Sequence, residues 1–508
     1  MPVALPNDRL PRISKTLAEY SLIGCMLYSA LAFGGAEPAL FSVAQIVLFV
    51  AIAFLILAQP DLLIPTSRAA RIIPPLLVAM VLVQMFPLPP SWVGRSIPAP
   101  AELADARWTH WTIQSYATRT HLLALLACLA VFYLAQLVCQ TRNGKRRLIF
   151  SLLGLGIFEA FYGLVQYLTG FQRIFAYVKK YDLEEATGTY INRNHFAGLL
   201  EMILPFSLAL AFYEFERLRR RQAQSPHRRH KLFAGSGFAR AIFWVAVAAL
   251  LAVALLFSRS RMGILAGVLS SLFVFGLVAL SQLGGRNGLW LAGAFLVLGL
   301  ALTLWIGPGP VLQRFQNVSD EYSGQGQDRL TIWKDTRGLL RAHPLLGTGL
   351  GTFPIAYTKV QTGFLGRFVN HAHNDYLEIS SDLGIPAALV LFVSVFVVLG
   401  RAVRASYSAE RSFEQAAALG AAGAILAILL HSLADFNLYI FANAMMLSAV
   451  LGMVMAIRPR GALSPEGNPE GDRPGGGEGG PEPGPQPDHD PSHNAAVGPA
   501  RAPAAGTA

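Results

Sequence analysis

Residues 241–257 read AIFWVAVAALLAVALLF, residues 258–261 read Ser258-Arg259-Ser260-Arg261, and residues 262–280 read MGILAGVLSSLFVFGLVAL. Two apolar runs, each near the roughly 20 residues that carry a helix across a hydrocarbon core about 30 Å thick, are joined by a four-residue polar turn. Only a helix satisfies its own backbone groups in lipid, so this stretch makes the protein an all-helical one that crosses a membrane repeatedly.

The same reading, carried outward, gives about twelve runs. They lie near 20 to 36, 38 to 58, 71 to 90, 120 to 140, 147 to 170, 195 to 215, 240 to 257, 263 to 282, 288 to 306, 386 to 400, 416 to 434 and 438 to 457. Composition agrees: 53% of the 508 residues are hydrophobic and 14% charged, too apolar for an ordinary soluble chain. The net charge of +11 sits in short clusters between apolar runs, not on one basic face, which excludes nucleic acid as a partner. Arg9, Arg12 and Lys15 precede the first run without a small-residue cleavage site after it, so that run is expected to stay as a helix. Cys25, Cys128 and Cys139 show neither disulfide nor metal-ligand spacing and are expected to pack.

Lys and Arg in short loops stay cytoplasmic. With residues 1–19 inside, the clusters at Arg68, Arg142 to Arg147, Arg217 to Lys231, Arg286, Arg401 to Arg411 and Arg458 all fall inside, as does the C-terminus. Runs 20–306 and 386–457 then flank one long outer loop, 307–385, whose own helix and turn signals suggest order and function. Residues 458–508, rich in Pro and Gly, have almost nothing to bury and are expected to be disordered.

Within the outer loop, Asp328 can cap a helix in which Leu330, Trp333 and Leu340 recur on one face, giving an interfacial helix stopped by Pro344. Arg329 in its positively biased first turn can hold an anion, or can be an ordinary exposed arginine. Gly347-Thr348-Gly349-Leu350-Gly351 can bring amides to a phosphate, but without P-loop or dinucleotide spacing a plain turn is favoured. In His371-Ala372-His373-Asn374-Asp375-Tyr376-Leu377-Glu378, Asp375 and Glu378 have capping-box spacing, so His373 stands at a helix start. About three turns later Gly384 lies on the same face and should leave room beside it. Two histidines at i and i+2 fit no standard metal site, and no metal or cofactor is expected. Arg259 and Arg261, in a turn at membrane depth, are costly unless paired or facing water and are functional candidates against simple snorkelling. Glu159 and Glu201 lie within apolar runs and must face protein or a cavity.

These segments, together with Asn192-Arg193-Asn194-His195-Phe196-Ala197, resemble the bacterial O-antigen ligase and O-antigen polymerase superfamily over roughly residues 190 to 400. His373, Asn374 and Gly384 fit its signature of His, then Asn, nine residues and Gly, while Ala387 departs from the last position. The resemblance implies a metal-independent glycosyltransferase in the bacterial inner membrane, with both termini cytoplasmic and the site periplasmic. Its donor would be a glycan on undecaprenyl diphosphate, and its acceptor lipid A-core for a ligase or a growing glycan for a polymerase. A diphosphate leaving group calls for fixed cations, and arginine forks at Arg259 and Arg329 suit it, with Arg261 in support. A histidine can take the proton of the attacking hydroxyl, which points to His373 first and His371 second. His371, Asn374 and Gly384 complete the expected substrate-binding set. A transporter of lipid-linked oligosaccharide, the reading of another class, would gather polar groups near the bilayer midplane in two related repeats. Here they gather in one outer loop and a neighbouring turn.

Overall fold

A computed structural model describes residues 9–64, 67–89, 109–223, 236–280, 293, 297, 301, 327–362, 368–408 and 413–457. The chain divides into two units, 1–460 and 461–508, and every described residue lies in the first. The expected tail at 458–508, the stretch 307–326 of the outer loop and most of the expected run at 288–306 lie outside the described residues.

The bundle is built from α1 (Arg9–Leu31), α2 (Pro38–Ala58), α3 (Arg68–Met85), α4 (Ser115–Val138), α5 (Arg142–Thr169), α6 (Arg193–Ala223), α7 (Ser236–Phe257) and α8 (Arg261–Leu280). It is completed by α12 (Ile385–Ser408), α13 (Phe413–His431) and α14 (Phe441–Ala456). Nine described helices are long and apolar enough to cross a membrane, from α2 to α8 together with α12 and α13. The protein is a multi-pass membrane protein. α14 is shorter, and α1 is polar in its first half, where Glu19 accepts a hydrogen bond from Arg147 at the start of α5 (2.6 Å).

In lipid there is no hydrophobic drive between helices, so close packing of small residues must hold the bundle. The centre shows this. α13 carries Ala416 to Ala418, Gly420 to Gly423 and Ala424, and is buried on every side against α6, α8 and α12. A Cβ on Gly420 would stand 2.4 Å from the Phe206 ring, and one on Gly423 2.5 Å from Pro205. Two pairs of two-residue antiparallel strands lie in the loops, Pro87–Leu88 with Thr109–His110 and Arg173–Ile174 with Tyr177–Val178.

Between α8 and α12 lie α9 (Gln327–Ala342), α10 (Phe353–Thr358) and α11 (Asp375–Leu383). α9, α10 and the segment before α11 share a small core of Ile332, Leu339, Phe353, Tyr357 and Val369, while Ile379 and Leu383 of α11 join the main core. α9 keeps the expected helical period but in another phase. Its buried face is Ile332, Asp335, Thr336 and Leu339, Leu330 is exposed, and the helix already includes Asp328. The face turned inward meets α10 and α11, and Trp333 Nε1 donates to Ala372 O (2.9 Å).

The glycine segment is packing, not an anion cradle. Thr348 N donates to Ser381 O, Gly349 N to Asp382 O, Leu350 N to Gln84 Oε1 and Gly351 N to Asp382 Oδ2, at 2.7 to 3.1 Å. Gly351 has φ +77°, and a Cβ there would fall 2.0 Å from His121 Nδ1. With its amides spent on protein acceptors, the segment locks the stretch between α9 and α11 to α3, α4 and α11.

Candidate functional site

α11 begins where Asn374 caps it, its side-chain oxygen accepting from Leu377 N (3.0 Å), so the N-cap is Asn374 and not Asp375. The cap and three polar residues of α11 stitch it to the end of α13 and to the segment between α13 and α14. Asn374 Nδ2 donates to Leu433 O (2.9 Å), Ser432 Oγ to Asp375 Oδ2 (2.7 Å), Tyr376 OH to Leu429 O (2.8 Å) and Tyr439 OH to Asp382 Oδ2 (2.7 Å). Burial pushes the Asp375 and Asp382 carboxyls well above the usual range, ahead of the hydrogen bonds that pull them down. These two acids are fasteners.

Just before the cap, the two histidines are each held by a different carboxylate. His371 donates from Nδ1 to Glu378 Oε1 (2.7 Å), whose other oxygen accepts from Ala372 N (2.7 Å). His373 donates from Nδ1 to Asp435 Oδ1 (3.3 Å), and that oxygen also accepts from Phe436 N (2.9 Å). Glu378 and Asp435 are both 1% exposed. Burial works to raise the Asp435 carboxyl, but the hydrogen bond and charge of His373, followed by His195 and Arg329, hold it below the usual carboxylate range. Asp435 therefore stays ionised. The Phe436 ring stacks on His371 at 3.9 Å and 10°, and meets His373 edge-on at 5.0 Å.

Arg329, one turn from Trp333 on α9, donates from Nη1 to Ala434 O (2.9 Å), beside Asp435. The structure thus brings together Arg329, His371, His373 and Asn374 around the 432–436 turn. Gly384 has another use. It closes α11 at φ +84°, and a Cβ there would stand 2.2 Å from Leu345 O, so the space beside it is filled by backbone and not left open next to His373.

Arg259 belongs to a second cluster. Its Nη1 lies 3.3 Å from Glu184 and 3.7 Å from Glu185, and Arg193 pairs with Glu185 and Asp182. The flanking serines build the turn: Ser258 Oγ donates to Leu255 O (2.6 Å), and Ser260 Oγ accepts from Gly263 N (3.3 Å) to cap α8 just before Arg261. Arg259 and His373 are non-glycine residues in the left-handed region, at φ +56° and +50°. Such strain persists only where surroundings enforce it, and it is common at functional sites. A Cβ on Gly263 would touch Ala197 and lie 3.3 Å from His431, whose Nδ1 is 3.0 Å from Glu201 deep in the bundle.

A cavity of about 830 Å³ opens on the histidines. Asn192, His195, His371, His373 and Phe436 line one part of it, and Leu125, Phe392, Val395, Leu447 and Leu451 another. At about 1.5 Å per residue, Val395 and Leu451 lie roughly 15 Å along α12 and α14 from the ends nearest α11. A cavity that is polar at one end and apolar at the other suits a ligand with a polar head and an apolar chain. Arg329, Arg259 and Arg261 are not part of this lining.

Asp435, Phe436 and His431 escaped the sequence reading, which left only a few residues between two apolar runs. The signal was there: His431 and Ser432 near the end of one run and Asp435 and Asn437 in the gap crowd polar groups into seven residues. Glu159, left open by its sequence position, is structural here, accepting from Thr189 N (2.8 Å) and Thr189 Oγ1 (2.5 Å).

Residues 246–392 match the family model described as O-antigen ligase, which supports the resemblance to the O-antigen ligase and polymerase superfamily; the match covers α8, α9, α10 and α11 and parts of α7 and α12. No curated protein matches the chain.

Proposed function

We propose that this membrane protein moves a glycan from undecaprenyl diphosphate onto a sugar hydroxyl of lipid A-core, at the periplasmic face of the inner membrane. The observation that carries the reading is the pairing of His373, which lines a cavity with a long apolar part, with the buried, ionised Asp435 behind it. In this reading the acceptor oxygen attacks the anomeric carbon of the donor glycan. The bond from that carbon to the phosphate oxygen breaks, and its electron pair leaves with the diphosphate. His373 takes the hydroxyl proton at Nε2, while Asp435 holds Nδ1–H and stabilises the imidazolium that forms, as a buried carboxylate does for a catalytic histidine elsewhere.

Arg329 and Arg259 are assigned to the charge that develops on the diphosphate, with Arg261 beside them. For Arg259 this means exchanging Glu184, whose side chain is 84% exposed, for a phosphate oxygen. The arginines make a divalent metal unnecessary, so purified protein treated with EDTA should keep its rate. His371 is the neighbouring substrate contact, and Asn374 and Gly384 act by fixing the backbone on either side of α11.

The same chemistry on another acceptor would join repeat units, as a polymerase does. Lipopolysaccharide and carrier-linked glycan from a deletion strain separate the two. A ligase mutant keeps full-length chains on the lipid carrier and loses them from lipid A-core, a polymerase mutant makes single repeats, and a strain unchanged in both sinks the reading.

A further inference from the structure

We propose that His195 contacts the sugar-diphosphate head of the lipid-linked donor through Nε2, an inference that rests on the function proposed above. His195 lies in the first turn of α6 and lines the cavity on which His371 and His373 open. The residue is 6% exposed, and its Nε2 is buried without a hydrogen-bond partner among the described residues. Its backbone, in contrast, is tied down. The His195 carbonyl accepts from Asn443 Nδ2 (2.9 Å), and that amide also reaches Asn437 Oδ1 (2.9 Å).

The ring is tied as well. It meets Phe436 edge-on at 4.7 Å and 78°, the same phenyl ring on which His371 stacks and His373 abuts. One aromatic side chain thus sets three imidazoles in one wall. His371 and His373 each give Nδ1 to a carboxylate, whereas His195 presents a fixed, buried nitrogen that no described residue uses. Folded interiors satisfy the large majority of such groups, and this one faces a cavity, so a partner from outside the chain is the economical explanation. The amino end of a long helix, where amide dipoles bias the potential positive, favours an oxygen of a phosphate or sugar phosphate there.

The cavity decides between donor and acceptor. Past the histidines its lining turns to Leu125, Phe392, Val395 and Leu447. A head group that continues directly into an apolar chain is the donor's, since an acceptor sugar carries no such chain beside its reacting hydroxyl.

The test uses full-length protein in nanodiscs, with lipid-linked donor and acceptor. His195→Phe keeps a ring against Phe436 and deletes Nε2, and His195→Gln returns an N–H to the site. The Phe variant should raise the KM for donor about tenfold or more, leave the KM for acceptor unchanged, and be partly rescued in the Gln variant. A folded Phe variant with both KM values of the wild type, or with only the acceptor KM raised, overturns the proposal, because packing alone would then account for the residue. If thermal unfolding shows the Phe variant to be destabilised, the donor KM is read on His195→Leu with the same two outcomes. Wild-type protein that neither binds nor turns over the lipid-linked donor removes the proposed function and this contact with it, whereas an active wild type with an indifferent His195→Phe removes the contact alone.

Discussion

Nδ1 of His373 stands 3.3 Å from Oδ1 of Asp435, a residue 62 positions further along the chain in the turn between the last two helices of the bundle. The pair is possible because α11 is fastened to that turn by Asn374, Asp375, Tyr376 and Asp382, each through a hydrogen bond of its own. A loop that would otherwise be free to move is made part of the rigid bundle. Its strained residue, His373 at φ +50°, is held where the backbone alone would not put it.

Asp435 gives a pH prediction. Its carboxyl is depressed in the folded protein despite burial, so its contribution to stability is complete above the ordinary carboxylate value, near pH 4, and is lost only as pH falls through the depressed one. The difference in thermal midpoint between the wild type and Asp435→Asn should therefore be constant from about pH 8 to 5 and shrink below about pH 4. A difference that vanishes already between neutral pH and 5 would mean that Asp435 is not held ionised by its neighbours.

Gly384 gives a stability prediction that separates packing from substrate contact. At φ +84°, with Leu345 O only 2.2 Å from where a Cβ would sit, Gly384→Ala must strain or shift backbone, at a cost of about 2 kcal/mol or more. The expected signature is a lowered unfolding midpoint with the donor and acceptor KM values of the surviving folded fraction close to wild type. A normal midpoint with a raised KM would instead return Gly384 to the substrate.

How much of this was legible in the sequence depends on range. Helices were legible because each run announces itself within its own 20 residues: the turn at Ser258 to Arg261 needed no distant information, and the capping-box spacing put the start of α11 within one residue of its cap, Asn374. Pairings across the chain were not. Nothing local says that His371 meets Glu378 while His373 passes over its own helix to reach Asp435, or that the glycine segment spends its amides on Gln84 and Asp382. The phase of α9 failed for the same reason, since Ile332 and Leu339 are turned inward by Phe353 and Tyr357, which periodicity cannot see.

Topology is open to a direct check. The asymmetry of Lys and Arg predicts that the loop holding α9 to α11 is outside and the Arg217 to Lys231 segment inside. Alkaline phosphatase fused near Gly324 should be active, and fused near Gln224 inactive, both positions being outside the described residues. The reverse pattern would put His373 on the wrong side for a donor waiting in the periplasm.

The roles of His373 and Arg329 separate kinetically. His373→Ala should cut transfer roughly a hundredfold or more, the usual scale of general-base catalysis, with donor binding nearly intact, because the imidazole is assigned to the acceptor's proton. His371→Ala should be milder. Although it too has a buried carboxylate partner, its ring is covered on one face by Phe436, and it is assigned to binding. Arg329 is assigned to the leaving diphosphate, so Arg329→Ala should weaken donor binding as well as slow bond breaking, and Arg329→Lys should rescue poorly because it lacks the planar fork. One complication is built into the fold: Arg329 also donates to Ala434 O beside Asp435, so its loss can disturb the His373 pair. Single-turnover rates on donor-saturated protein resolve this, since a purely positioning Arg329 would lower the rate without changing donor affinity. Should His371 prove essential and His373 replaceable, the base has been assigned to the wrong histidine, and should both be replaceable, no histidine of this pair is the base.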